Sequence, residues 1–144
     1  MKYQTGKAGR VIVARFEDGE DILGNIIHIA KKEHIRSAVV YLVGGIKKGN
    51  VVVGPEKEEL PPEPIWRKIQ ESHEVLAIGT IFCQEEEPKL HLHGAFGKRD
   101  TVLVGCLRGT SETFLVIEAI LLEIEGIKAQ RALDETSGLT LLKL

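Results

Sequence analysis

Cysteine is scarce in this chain of 144 residues: Cys83 and Cys106 are the only two. They are too few for a disulfide framework and lack the CxxC spacing of a redox pair, so each is either a ligand or a small core residue. No apolar run approaches the roughly 20 residues needed to cross a bilayer. The opening Met1-Lys2-Tyr3-Gln4-Thr5-Gly6 also lacks the apolar segment of a signal peptide. The expectation is a cytoplasmic protein with no membrane partner. Charge of one sign is missing as well, since the net value is −2. Basic pairs stand at Lys31-Lys32, Lys47-Lys48, Arg67-Lys68 and Lys98-Arg99, but acidic residues lie near most of them. This dispersal reads as solvated surface, because nucleic-acid binders concentrate basic charge on one face. Gly44-Gly45 is followed by neither GxGxxG nor Walker spacing, which leaves a turn or a close backbone approach.

What the chain does have is enough apolar residue for one core, 43% hydrophobic against 28% charged. Arg10 to Phe16 alternates as a strand and ends at the turn signal Glu17-Asp18-Gly19. From about 20 to 33 the spacing becomes helical, with Ile22, Leu23, Ile26, Ile27 and Ala30 on one stripe and Asp18 or Asp21 placed to cap it. His28 and His34 belong to that surface. Arg36 to Ile46 holds a continuous apolar run closed by Gly44-Gly45, and Val51-Val52-Val53 starts another. The proline-rich, acidic stretch Gly54–Pro64 reads as an exposed excursion, with Trp66 anchoring it to the body. Strand signals then recur at 74–82, 90–96, 101–107, 114–124, 129–133 and 139–144. The fold expected is α+β: a single compact domain with a largely antiparallel sheet of about seven strands and one main helix.

The candidate chemistry lies in Lys89-Leu90-His91-Leu92-His93-Gly94. Residues two apart in a strand share a face, so both imidazoles can reach one ion. A neighbouring strand can bring Cys106, in Gly105-Cys106-Leu107, beside them. Two histidines and a cysteine with a fourth position open suit a reactive or ligand-accepting zinc site. The plain alternative is a polar strand face and a cysteine in the core.

These pieces, in this order, resemble the PPC (plants and prokaryotes conserved) domain family from Gly9 to Leu144. The matching features are Arg10 to Glu20 leading into the helix, Gly44-Gly45, the Pro-Lys-Leu-His91-Leu-His93-Gly motif, Gly105-Cys106-Leu107, and the ending Arg131 to Leu139. The resemblance implies a domain over 9–144 behind a tail of 1–8, a fold similar to that of metal-dependent acetolactate decarboxylases, and a homotrimer. It also implies a metal site in which the H-x-H histidines join a histidine of a Gly-Gly-His-Leu element. Here Cys106 stands in that histidine's place, and a thiolate is also a good zinc ligand. Plant relatives join the domain to AT-hook peptides, but this chain has no Arg-Gly-Arg-Pro, so DNA binding is expected to be weak or absent. Two function classes stay open. One is a trimeric module that binds a metal or small ligand for sensing or regulation. The other is a zinc enzyme acting on a small carbonyl or carboxylate, with Glu112, Glu118 or Glu74 as base. Arg108, and Glu112 beside it in sequence, are the candidates for holding a small ligand.

Overall fold

The computed structural model describes residues 1–144. Its first strand, β1 (Lys7–Glu17), starts two residues inside the expected tail and leads through a Gly19 turn to α1 (Ile22–Lys32). Of the two expected capping candidates Asp21 caps the helix, whereas Asp18 is held by Lys47 and the Leu115 N–H. The Asp21 side chain accepts from the Gly24 N–H at 3.2 Å, and its other oxygen accepts from the Ser111 N–H at 3.1 Å. Lys31 and Lys32 lie in the last turn, where positive charge suits the helix dipole. The face carrying Ile22, Ile26 and Ala30 is buried. Replacing Asp21 by alanine removes both the cap and the latch to Ser111, so the denaturation midpoint should fall by the equivalent of about 1–2 kcal/mol. An unchanged midpoint would show that water replaces the carboxylate without loss.

Seven further strands follow: β2 (Ser37–Pro55), β3 (Pro64–Ile69), β4 (His73–Gln84), β5 (Glu87–Lys98), β6 (Thr101–Glu125), β7 (Gln130–Asp134) and β8 (Leu139–Lys143). The total is thus eight rather than about seven. Two of them are longer than the sequence suggests. Gly44-Gly45 does not end a strand; β2 runs through it. Likewise Gly109 does not separate two strands, because β6 is continuous past it. Both long strands bend at the same place. Gly44 has φ +142, and a Cβ there would lie 2.2 Å from the Val116 carbonyl oxygen, while Leu115 opposite has φ +58. The register shifts between Gly44 and Gly45, so of the two readings of this pair, a turn or a close backbone approach, the second holds and takes the form of a bulge.

Bending lets β2 and β6 each serve two neighbourhoods. The first half of β2 pairs with β4 and with the second half of β6; its second half pairs with β3 and the first half of β6. Because β4 also pairs with β5 and β5 with the first half of β6, the circuit β2-β4-β5-β6 closes on itself, antiparallel throughout. Closure removes strand edges that would otherwise need covering. The apolar core, including Val40, Leu42, Ile81, Leu92, Phe96, Leu107 and Leu121, fills the inner face together with α1. Trp66 does not anchor the excursion: it sits on β3, paired with Val52, and is 52% exposed. The hairpin of β7 and β8 packs back against β4. No helix is long and apolar enough to cross a membrane.

Candidate metal centre

Alternation along β5 decides where the histidines point. Leu92 and Phe96 are buried in the core, so His91 and His93, at the alternate positions of the strand, face outward. The two Nε2 atoms lie 3.0 Å apart, with the rings nearly perpendicular. Across the ladder, His93 is the direct partner of Cys106 on β6. A small residue makes that approach possible. At Gly105 a Cβ would lie 2.3 Å from the Val52 carbonyl oxygen, so the close packing of β6 on β2 requires glycine beside the thiol. The donor atoms of His91, His93 and Cys106 all lie within 4.8 Å of one another. Donors sharing one tetrahedral zinc are roughly 3.3–3.6 Å apart, between the 3.0 Å that separates the two imidazole nitrogens and the 4.8 Å that bounds the cluster. The donor set, two imidazoles and a thiol without a fourth protein ligand, therefore fits a metal with one open position.

Electrostatics around the cluster are unusual for a surface. Burial, then the neighbouring His93 and the charges of Arg131 and Arg108, push the His91 imidazole down to about 4. At neutral pH it is the unprotonated base that a metal requires. Burial pushes the Cys106 thiol up, and the positive charge of Arg108 opposes that rise. Cys106 is only 5% exposed even though it lies on the outer side of the sheet.

The His91 shift has a consequence for the metal-free protein. An unfolded chain protonates this imidazole below roughly 6.5, whereas the fold refuses the proton until about 4. Stability is therefore unaffected above the upper value and is lost as pH falls through that window. Metal-free wild type should show a larger drop in denaturation midpoint between neutral pH and about 4.5 than His91→Gln does. Parallel pH profiles for the two proteins would contradict this assignment.

A cavity of about 420 Å³ opens beside His91, lined also by Lys89, Arg108, Arg131, Gln84 and Thr140. Arg131 comes from β7. Its guanidinium donates to Thr80 Oγ1 at 2.9 Å and lies 5.9 Å from the centre of the Phe82 ring. Arg108 lines the same cavity, close to the triad. The carboxylates do not. Glu112 is held by Lys48 at 2.7 Å and bridges to Asp21 at the start of α1; Glu118 pairs with Arg15 and Val43, and Glu74 with Gly97 and Gly45. None of the three lines the cavity, which contains no aspartate or glutamate. Arg131 is the residue that sequence reasoning missed as a site residue. Nothing local marks it, because only the folding back of the C-terminal hairpin brings it to β4.

Residues 3–125 match the Plants and Prokaryotes Conserved (PCC) domain. The chain belongs to that family. Among solved structures, this PCC domain is similar to a plant- and prokaryote-conserved protein of Pyrococcus horikoshii, with a TM-score of 0.86, 29% identity and coverage of 100% of this chain and 98% of that one. It is similar in fold to a metal-containing protein of Archaeoglobus fulgidus, with a TM-score of 0.87, 24% identity and full coverage of both chains. A third neighbour, from Ralstonia eutropha JMP134, bears a name that proposes DNA binding. It has a TM-score of 0.76 and 19% identity over 92% of this chain and 90% of that one. No curated protein matches the chain. The family match ends at Glu125, so β7, β8 and Arg131 lie beyond it.

Proposed function

We propose that this PCC domain is a homotrimeric module that holds one divalent transition metal, zinc foremost, at His91, His93 and Cys106 and offers its open position to a small ligand, in a sensing or regulatory role. The observation that carries the reading is the convergence of three metal-binding donors from two paired strands within 4.8 Å, with His91 at the wall of a cavity. The Archaeoglobus neighbour's description as metal-containing supports it. When bound, zinc would supply Lewis acidity toward a ligand oxygen. The chain's own residues do the rest: ring nitrogens of His91 and His93 would hold the metal, Cys106 would bind as the thiolate and release its proton to water, and the arginines govern the charge of what enters. The metal content of protein purified without a chelating tag tests the assignment, with one equivalent per chain expected.

The enzyme reading, turnover of a small carbonyl or carboxylate compound, rests on the same cavity. A positively charged lining favours such a substrate, but with no carboxylate in the cavity to serve as base, binding is the better-supported function.

Assembly is supported by the outer face of the sheet. Val13, Ile120, Tyr41 and Ile78 form an exposed row across four paired strands, ending at His93. A contiguous apolar patch of this kind marks a protein interface. DNA is a poor partner by comparison. With a net charge of −2, contacts to duplex phosphate are few and should fade steeply with salt. Fluorescence anisotropy with a labelled duplex should show weak binding without sequence preference near physiological ionic strength. Tight, selective binding there would overturn this part of the proposal.

A further inference from the structure

We infer that the cavity beside His91 is a site for a short-chain aliphatic carboxylate, clamped by Arg108 and Arg131 and covered by the C-terminal hairpin. This rests on reading the cavity as a ligand site and adds the chemistry of the ligand and the residues that select it.

The first observation is a charge left uncompensated. Arg131 is only 8% exposed, yet neither it nor Arg108 belongs to any of the eight ion pairs of the protein. The hydrogen bond to Thr80 satisfies one of the five guanidinium N–H donors of Arg131. Two guanidiniums facing one cavity without an acid repel each other, and a sheltered charge in that position is costly unless something opposes it. Zinc held by two neutral imidazoles and one thiolate would leave a further positive charge at the same wall. An anion is the complement this arrangement lacks, and paired guanidiniums match a planar carboxylate.

The second observation is the apolar side of the cavity, made by Leu90 on β5 and by Leu139 and Leu141 on β8. A volume of about 420 Å³ lies at the small end of the range for small-molecule sites. The ligand therefore carries a short hydrocarbon portion as well as its charge, which separates it from inorganic phosphate. Since β8 supplies two of the leucines and β7 supplies Arg131, the selecting surface comes largely from the segment beyond the family match.

Butyrate is the probe, with acetate and inorganic phosphate as comparisons, titrated into full-length protein by calorimetry both zinc-loaded and after chelator treatment. Butyrate should bind roughly tenfold more tightly than acetate, because two more methylenes are buried, and more tightly than phosphate. Arg108→Gln and Arg131→Gln should each weaken butyrate roughly tenfold while metal content stays at the wild-type value. If loss of the Thr80 contact unfolds Arg131→Gln, the exposed Arg108 decides the matter. Arginine-dependent butyrate binding by protein that takes up no zinc would uphold the clamp and remove the metal reading. Zinc uptake with no butyrate binding, with binding indifferent to both arginines, or with phosphate or acetate bound as tightly, would overturn the clamp and leave the metal reading standing.

Discussion

Replacing His91 and His93 together by alanine should abolish metal binding while the domain stays folded. Both side chains lie on the outer face of β5, whereas the buried core residues Leu92 and Phe96 lie on the inner face and are untouched. Two of three protein donors are removed, so affinity should fall well beyond the roughly 10–100-fold cost of disturbing an outer-shell partner. Elemental analysis should find about one metal per wild-type chain and none in the variant, with superimposable circular dichroism spectra. Added zinc should raise the melting temperature of the wild type alone, because ligand binding stabilises only a fold that binds it. Cys106→Ala should weaken the metal without abolishing it. Cys106→His should retain it, imidazole and thiolate both being good zinc ligands. Equal metal content in the wild type and the double-alanine protein would return these histidines to the status of ordinary strand residues.

The second large effect concerns assembly. Light scattering coupled to size exclusion should report about three times the 15.9 kDa chain mass. Tyr41→Glu should return the protein to the mass of one chain. Tyr41 sits mid-row on the exposed apolar face, opposite both Ile120 and Ile78, so an added charge there meets water in the monomer but would be buried unpaired in an assembly. A wild-type monomer at micromolar concentration would remove the trimer, and an unchanged mass for Tyr41→Glu would place the interface elsewhere.

Which of these features could be read from the chain follows from the range of the forces that produce them. Strand alternation has a period of two, so the sequence by itself determined that His91 and His93 share a face; no partner strand is needed for that. The helix was legible for the same reason: its stripe of Ile22, Ile26 and Ala30 and its Asp21 cap are local, and both appear where the pattern placed them. Cys106 was a candidate by its chemistry alone, and the family resemblance, carried by short motifs, supplied the reason to place it beside the histidines.

Tertiary structure decided the rest. Gly44 and Gly109 look like strand ends in sequence, but in the fold Gly44 permits two backbones to approach, so β2 and β6 bend and continue instead of stopping. That continuity closes the sheet and sets the register that puts Cys106 opposite His93. Register between strands is a non-local property, settled by burying the inner residues of every strand at once. Glu112, near Arg108 in sequence, is drawn off to Lys48 and the start of α1, whereas Arg131, distant in sequence, is carried to the cavity by the C-terminal hairpin. The chemistry of the individual donors was thus written in the chain, but the cavity and its charge arise from packing between segments that no local pattern relates.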